Sequence, residues 1–170
     1  TEPLDLEKIH SMVGYACKDL AGVSESLVEM NSGIQFYDQI PTEDIQQILI
    51  KSANDLISLE NPNYQYVAAR LLLFSLRKKL YHRLWELPHL DKHINTCIEH
   101  GVYDPDFLKW YSKEDIDQMN SFINHERDYL FSYAGLRQVI DKYLVQDRSS
   151  GEIFETPQFM YMMISATLFR

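Results

Sequence analysis

The sequence predicts a mainly α-helical fold carrying one small β-hairpin. Three observations predict it. Apolar residues recur at three- and four-residue spacing through most of the chain, which gathers them on one face of a helix. Capping residues and helix stops bracket those stretches. Only residues 143–154 show short strand-like runs on either side of a turn-rich segment.

Taken in order, Asp5 caps a first helix whose stripe is Leu6, Ile9, Val13, Ala16, Cys17 and Leu20, closed by Gly22. Ser24 caps a short second helix through Met30. Residues 34–40 read as a loop anchored by Phe36 and Tyr37. Thr42 reads as a hydroxyl cap, with Glu43 and Asp44 in a first turn where carboxylates suit the helix dipole. Ile45, Leu49, Ala53, Leu56 and Ile57 form the buried stripe of that third helix. Asn61-Pro62 starts a fourth, reaching about residue 84, and Pro88 breaks the pattern. The module boundary falls between Lys79 and Pro88 and divides the chain into residues 1–82 and 83–170.

The second half continues in helices. Residues 89–100 form one stopped by Gly101, residues 105–111 a short one, and Ser112 caps another through Ile123. Residues 129–144 read as the longest apolar-faced helix of this part. Residues 143–145 and 152–154 flank the turn, and Thr156-Pro157 opens the last helix. No internal repeat or low-complexity tract interrupts the pattern.

Composition narrows the function. The 170 residues allow one domain with a core, or two small modules. With 45% hydrophobic and 24% charged residues the chain is globular. A net charge of -9 argues against a general binder of DNA or RNA. No apolar run approaches the roughly 20 residues that span a bilayer, so no membrane association is expected. Residues 1–8 are polar and partly acidic, unlike a secretory leader. Two distant cysteines, Cys17 and Cys97, do not make a disulfide framework, which points to a reducing cytoplasm. Both ends read as cut: Thr1 starts almost inside a helix cap, and residues 160–170 stop within an apolar helix.

Residue chemistry offers three candidate sites. The first is a nucleotide pocket made of helix starts at Asp5 and Thr42, whose free N–H groups and positive dipole ends suit phosphate. Lys8 and Lys78 are cations within reach of a polyphosphate, and Ile9 and Phe74 are apolar groups that could sandwich a base. No P-loop or glycine-rich fingerprint supports it, so residue types alone favour a cap, a core phenylalanine and a solvated basic run at residues 77–79. The second is His125 with Asp128, an acid–base spacing that reads better as a polar network in which Arg127 pairs with Asp128 or Glu126. The third is His89, His93, Cys97 and His100 on one helix. His89 and His100 would stand on the order of 16 Å apart along the axis, at about 1.5 Å per residue, and Cys97 falls on the apolar face, so no metal is assigned.

Several blocks in order change the balance for the first site. Asp5-Leu6-Glu7-Lys8-Ile9, Ile34-Gln35-Phe36-Tyr37-Asp38, Tyr64-Gln65-Tyr66, Ala68-Ala69-Arg70-Leu71 and Leu76-Arg77-Lys78-Lys79 resemble the ATP-cone domain of class I ribonucleotide reductase large subunits. Phe122-Ile123-Asn124-His125-Glu126-Arg127-Asp128, Phe131-Ser132-Tyr133-Ala134, Lys142-Tyr143-Leu144-Val145-Gln146 and residues 151–159 resemble the helical lead-in to that family's ten-stranded barrel. The resemblance covers essentially the whole chain. It implies an overall activity site in residues 1–82, with ATP keeping the enzyme active and dATP switching it off. Its nucleotide contacts carry over to Glu2, Leu4, Asp5, Lys8, Ile9, Thr42, Phe74 and Lys78. Gln46, one turn past Thr42, stands where some relatives have a histidine, which removes a possible cation.

The family's cone opens with strands bearing a Lys/Arg pair that grips phosphates, and this chain begins after them. The resemblance therefore predicts weak ATP binding by the 170-residue chain. It also implies an intact enzyme that reduces ribonucleoside diphosphates for DNA synthesis, with a second large subunit and a radical-generating small subunit as partners. The radical-forming cysteine and the dithiol pair of that reaction lie downstream in the family, so no catalytic residue is expected here. Two rivals stand beside this reading: a non-catalytic helical interaction module, and an ATP cone serving a nucleotide-sensing regulator or an anaerobic reductase.

Overall fold

A computed structural model describes residues 5–33 and 40–169. Among these, nine α-helices and one two-stranded hairpin appear, matching the expected mainly helical class. By contact the chain divides into two units. One comprises Thr1–Ser75 with Tyr129–Arg137, the other Leu76–Asp128 with Gln138–Arg170.

In the first unit, α1 (Leu6–Cys17) begins at Asp5, whose carboxylate accepts from the backbone N–H groups of Glu7 and Lys8, both at 3.1 Å. Ile9, Val13, Ala16 and Cys17 are buried, whereas Leu6 lies exposed in the first turn. The helix ends at Cys17, short of Leu20, because Asp19 turns into the left-handed region (φ 60°). Arg70 then donates to the carbonyls of Ala16 and Lys18 at 3.2 and 2.6 Å, satisfying orphan groups at this C-terminus.

The second helix, α2 (Glu25–Gly33), starts after Ser24, whose hydroxyl accepts from Leu27 N–H, and it runs three residues beyond Met30. It packs on α1 and on α3 (Thr42–Asp55). The capping position of α3 is Pro41, so Thr42 is the first helical residue and its hydroxyl makes no cap. Proline fixes its own φ near the value a helix entry needs, which explains the one-residue shift. Leu49 and Ala53 are buried as expected, while Ile57 points to solvent.

The long helix α4 (Tyr64–Tyr81) starts two residues later than Asn61-Pro62 suggests, since Asn63 supplies the carbonyl that accepts from Tyr66 and Val67. Most of its residues from Tyr64 to Arg77 are buried, so it is apolar on nearly all sides rather than along one stripe. His82, at φ 55°, stops it.

In the second unit, α5 (Leu90–Glu99) ends at Gly101, whose φ of 70° admits the reversal in which Val102 N–H reaches Cys97 O. α6 (Phe107–Trp110) is a single turn. α7 (Lys113–Phe122) opens with a reciprocal capping box between Ser112 and Asp115. It packs on α5, and Asn120 accepts from Leu90 N–H at 2.9 Å.

The expected continuous helix over residues 129–144 is broken. A 3-10 turn covers His125–Leu130, and α8 (Tyr133–Lys142) restarts after Ser132, whose hydroxyl accepts from Gly135 N–H. Serine offers the backbone an alternative partner, and periodicity does not register that break. The hairpin pairs β1 (Gln146–Asp147) with β2 (Glu152–Ile153), Gln146 opposite Ile153, around a tighter turn than the sequence suggests. Thr156-Pro157 starts α9 (Pro157–Leu168) as expected. Leu90, Ile94, Phe107, Ile116, Phe159 and Met163 form the core of this unit. Truncating the fully buried Phe159 to alanine would cost about 3–5 kcal/mol.

Candidate functional site

The first unit holds most of the residues proposed for a nucleotide. Two of its helix starts differ in their chemistry. The start of α1 is already satisfied: Asp5 caps it and meets Lys8 Nζ at 3.5 Å. The Lys8 backbone N–H, with Lys8's charge behind it, holds the Asp5 carboxyl below its usual range. The start of α3 has no side-chain cap among the described residues. Pro41 brings no side-chain acceptor, so the first-turn N–H groups of α3 lack the capping bond that α1 and α7 have. Thr42 is exposed there with its hydroxyl uncommitted to a cap.

One turn on, Gln46 is only 5% exposed. Its Oε1 accepts from the Ser75 hydroxyl at 2.9 Å, and its Nε2 is buried with no hydrogen-bond partner among the described residues. A buried amide with an idle donor costs stability, so it marks a place where a ligand acceptor would be welcome. Ser75 was not singled out by the sequence reading. Its signal is a lone hydroxyl inside the apolar run Leu71-Leu72-Leu73-Phe74-Ser75-Leu76.

Phe74 is 1% exposed and meets the Tyr129 ring edge-on at 6.1 Å, and Ile9 is buried on α1. Both belong to the core of their unit. Lys78 follows Phe74 by one turn on α4 and is exposed, but falls within the second unit. Glu2 and Leu4, like the Ile34-Gln35-Phe36-Tyr37-Asp38 block, lie outside the described residues. The structure thus brings together Asp5 with Lys8, and Gln46 with Ser75 beside Phe74.

The second unit buries two polar networks. Asp128 pairs with Arg77 at 3.3 Å, not with Arg127, and its other oxygen accepts from Gln158 at 2.9 Å. Arg77 also donates to His125 O at 2.7 Å. The basic run at residues 77–79 is therefore split: Arg77 is 3% exposed, while Lys78 and Lys79 face solvent. Burial raises the Asp128 carboxyl despite the Gln158 and Arg77 contacts.

In the other network Tyr103 donates to Glu155, which also accepts from Val145 N–H at 2.8 Å. His93 stacks on Phe159 with ring centres 4.1 Å apart and reaches Tyr103 at 3.2 Å. Burial pushes His93 down to about 3 and His125 down to about 4, while it pushes the Cys97 thiol up to about 12. A neutral imidazole beside a neutral thiol gives no thiolate nucleophile. Cys17 is likewise buried, and burial lifts it to about 11. His89 pairs with Asp91 and His100 with the Thr96 carbonyl, while His93 Nε2 and Cys97 Sγ lie 3.7 Å apart, so the four helical candidates do not converge on one point. Among the described residues no three His, Cys, Asp or Glu side chains gather as a metal site, and no helix is long and apolar enough to cross a membrane.

Comparison with known proteins adds to this geometry. A family model described as the ATP cone domain matches residues 1–79, and one described as the all-alpha domain of ribonucleotide reductase matches residues 129–170. The chain is 49% identical over 169 residues to ribonucleoside-diphosphate reductase 1 subunit alpha of Escherichia coli (strain K12), covering 99% of this chain and 22% of that one. It is 47% identical over 168 residues to the alpha subunit of Haemophilus influenzae, again covering 99% and 22%. To that of Enterobacteria phage T4 it is 43% identical over 170 residues, with the same coverage. The chain therefore spans 22% of the length of these relatives.

Proposed function

We propose, for a chain that belongs to the family of class I ribonucleoside-diphosphate reductase alpha subunits, that its first part is an adenine-nucleotide regulatory site and its second the helical lead-in to the catalytic domain. The activity region is assigned to residues 1–82 and the lead-in to residues 83–170. The observation that carries this reading is the uncapped start of α3, with the idle Gln46 amide one turn behind it, inside the stretch matching the ATP cone.

In this reading the first-turn N–H groups of α3 and the Thr42 hydroxyl take phosphate oxygens, a role suited to a helix start. Lys8 supplies a cation, and Asp5 holds it at the start of α1. Gln46 Nε2 donates to an acceptor on the base or sugar. Ile9 and Phe74 provide apolar walls. Glu2, Leu4 and Lys78 join the set through the resemblance alone.

The polypeptide as a whole would reduce ribonucleoside diphosphates in the cytoplasm, with a second alpha subunit and a radical-generating small subunit as partners. ATP and dATP would act by favouring different assemblies, which requires that each contact those assemblies differently.

Calorimetric titration tests the site. ATP and dATP are expected to bind and UTP to fail as a competitor. Lys8→Gln is expected to weaken binding roughly tenfold, the usual weight of one charge-assisted contact. Equal binding of ATP and UTP, unaffected by Lys8→Gln, would overturn the assignment.

A further inference from the structure

The second unit contains a cavity of about 320 Å³ whose walls carry an excess of positive charge in a chain of net charge -9. Lys79 comes from the last turn of α4, Arg83 from the loop after it, and Lys92 from the first turn of α5. Glu152 is the carboxylate among the lining residues. None of the three cations makes an ion pair among the described residues.

Lys92 sits where a helix dipole disfavours a cation, so local stability does not account for it. The loop that carries Arg83 is bounded by two non-glycine residues in the left-handed region, His82 and Glu86, both at φ 55°. Arg83 also donates from one terminal guanidinium nitrogen to Glu86 O at 3.3 Å, which leaves its other terminal nitrogen for a ligand. Strain of this kind is retained where a loop must hold a particular shape.

We propose that this cavity binds a small phosphate-bearing anion, held by Lys79, Arg83 and Lys92, at a place separate from the nucleotide site of the first unit. Arginine grips two phosphate oxygens at once, and the lysines act as point charges from either side. Three cations from three separate elements suit a ligand of several negative charges rather than a single carboxylate. The volume lies at the low end of small-ligand pockets, which excludes a nucleic-acid segment or a peptide. Tyr81, Phe154 and His100 line the same space, and the last two meet as tilted rings 5.4 Å apart, so a flat group attached to the phosphates would find an aromatic wall.

The experiment is a titration of the protein with inorganic tripolyphosphate and, separately, with ATP. It uses the wild type, an Arg83→Gln/Lys92→Gln double variant, and Lys8→Gln. All three substituted side chains are exposed, so folding is preserved, which circular dichroism checks. Tripolyphosphate binding is expected in the wild type and in Lys8→Gln, and to fall at least roughly tenfold in the double variant. An Arg83→Lys/Lys92→Arg protein is expected to retain most of it. If ATP binds at a second site that survives Lys8→Gln and vanishes in the double variant, the natural ligand is a nucleotide; if tripolyphosphate alone does so, it is a free polyphosphate. Tripolyphosphate binding that is absent, or unchanged in the double variant, would overturn the proposal. The failure of Lys8→Gln to weaken ATP would instead count against the first-unit site, so the two readings fail separately.

Discussion

Lowering the pH should loosen the second unit through histidines it keeps neutral. His93 is 3% exposed, stacked on Phe159, and held near 3 by burial and, secondarily, by the charge of His125, against an ordinary 6.5. A group whose folded pKa is depressed favours folding above its unfolded value and loses that contribution as pH falls below it. The unfolded chain takes up a proton at His93 below about 6.5 that the folded chain refuses down to about 3. At pH 5, some 1.5 units below the unfolded value, this amounts to about 2 kcal/mol, at about 1.4 kcal/mol per unit. His125, lowered to about 4, acts in the same direction with less weight because it is only half-buried.

Asp128 and Glu155 act oppositely. Burial raises both, so each favours the folded state more as pH falls through its folded value. The comparison that isolates the imidazole is wild type against His93→Gln. Both tryptophans, Trp85 and Trp110, lie in the second unit, so their fluorescence in urea titrations follows that unit. The stability gap between the two proteins should narrow by about 2 kcal/mol between pH 7.5 and pH 5. A gap that stays constant across that range would show that His93 titrates alike folded and unfolded, and would refute the reasoning.

Other perturbations follow from the same contacts. Arg77→Leu should cost about 3–5 kcal/mol because it strands the buried Asp128 carboxylate, and Arg77→Leu/Asp128→Leu should recover part of the loss in urea titrations. Ser112→Ala should destabilise by about 1 kcal/mol through loss of its capping box, whereas Thr42→Ala should leave the melting temperature unchanged and weaken nucleotide binding, because Pro41 holds the cap position of α3. Asp5→Asn should keep the α1 cap, since asparagine caps about as well, and weaken ATP binding a few-fold by releasing Lys8 from its ion pair, which titration of both proteins checks.

Helix starts were legible where a short polar side chain makes the cap, at Asp5, Ser24 and Ser112, and at Thr156-Pro157, where Thr156 holds the cap position without a side-chain bond and the first-turn proline marks the start. The stop at Gly101 was equally legible, because a positive φ at that point calls for glycine. The break at Ser132 was not, since serine within a periodic apolar stretch fits a helix interior as well as a cap. Nor was the left-handed turn at Asp19, which ends α1 before Leu20 can join its stripe.

At the candidate site, the Asp5 and Lys8 pairing could be read because it is local. The contact between Gln46 and Ser75 joins residues 29 apart, and Arg77 reaches Asp128 across 51 positions; neither leaves a trace in local pattern. Arg127 looked the better partner for Asp128 because it is adjacent, but burial of Arg77 on α4 requires a counter-charge that an exposed Arg127 does not. The basic lining at Lys79, Arg83 and Lys92 comes from three elements and became visible only once they were assembled.

Photolabelling with 8-azido-ATP, followed by peptide mapping, tests the nucleotide assignment most directly. The account predicts label in peptides containing Ile9, residues 42–46 or Phe74, suppressed by unlabelled ATP and by dATP. Label confined to residues 79–100 and 152–154, or spread without suppression by either nucleotide, would contradict it.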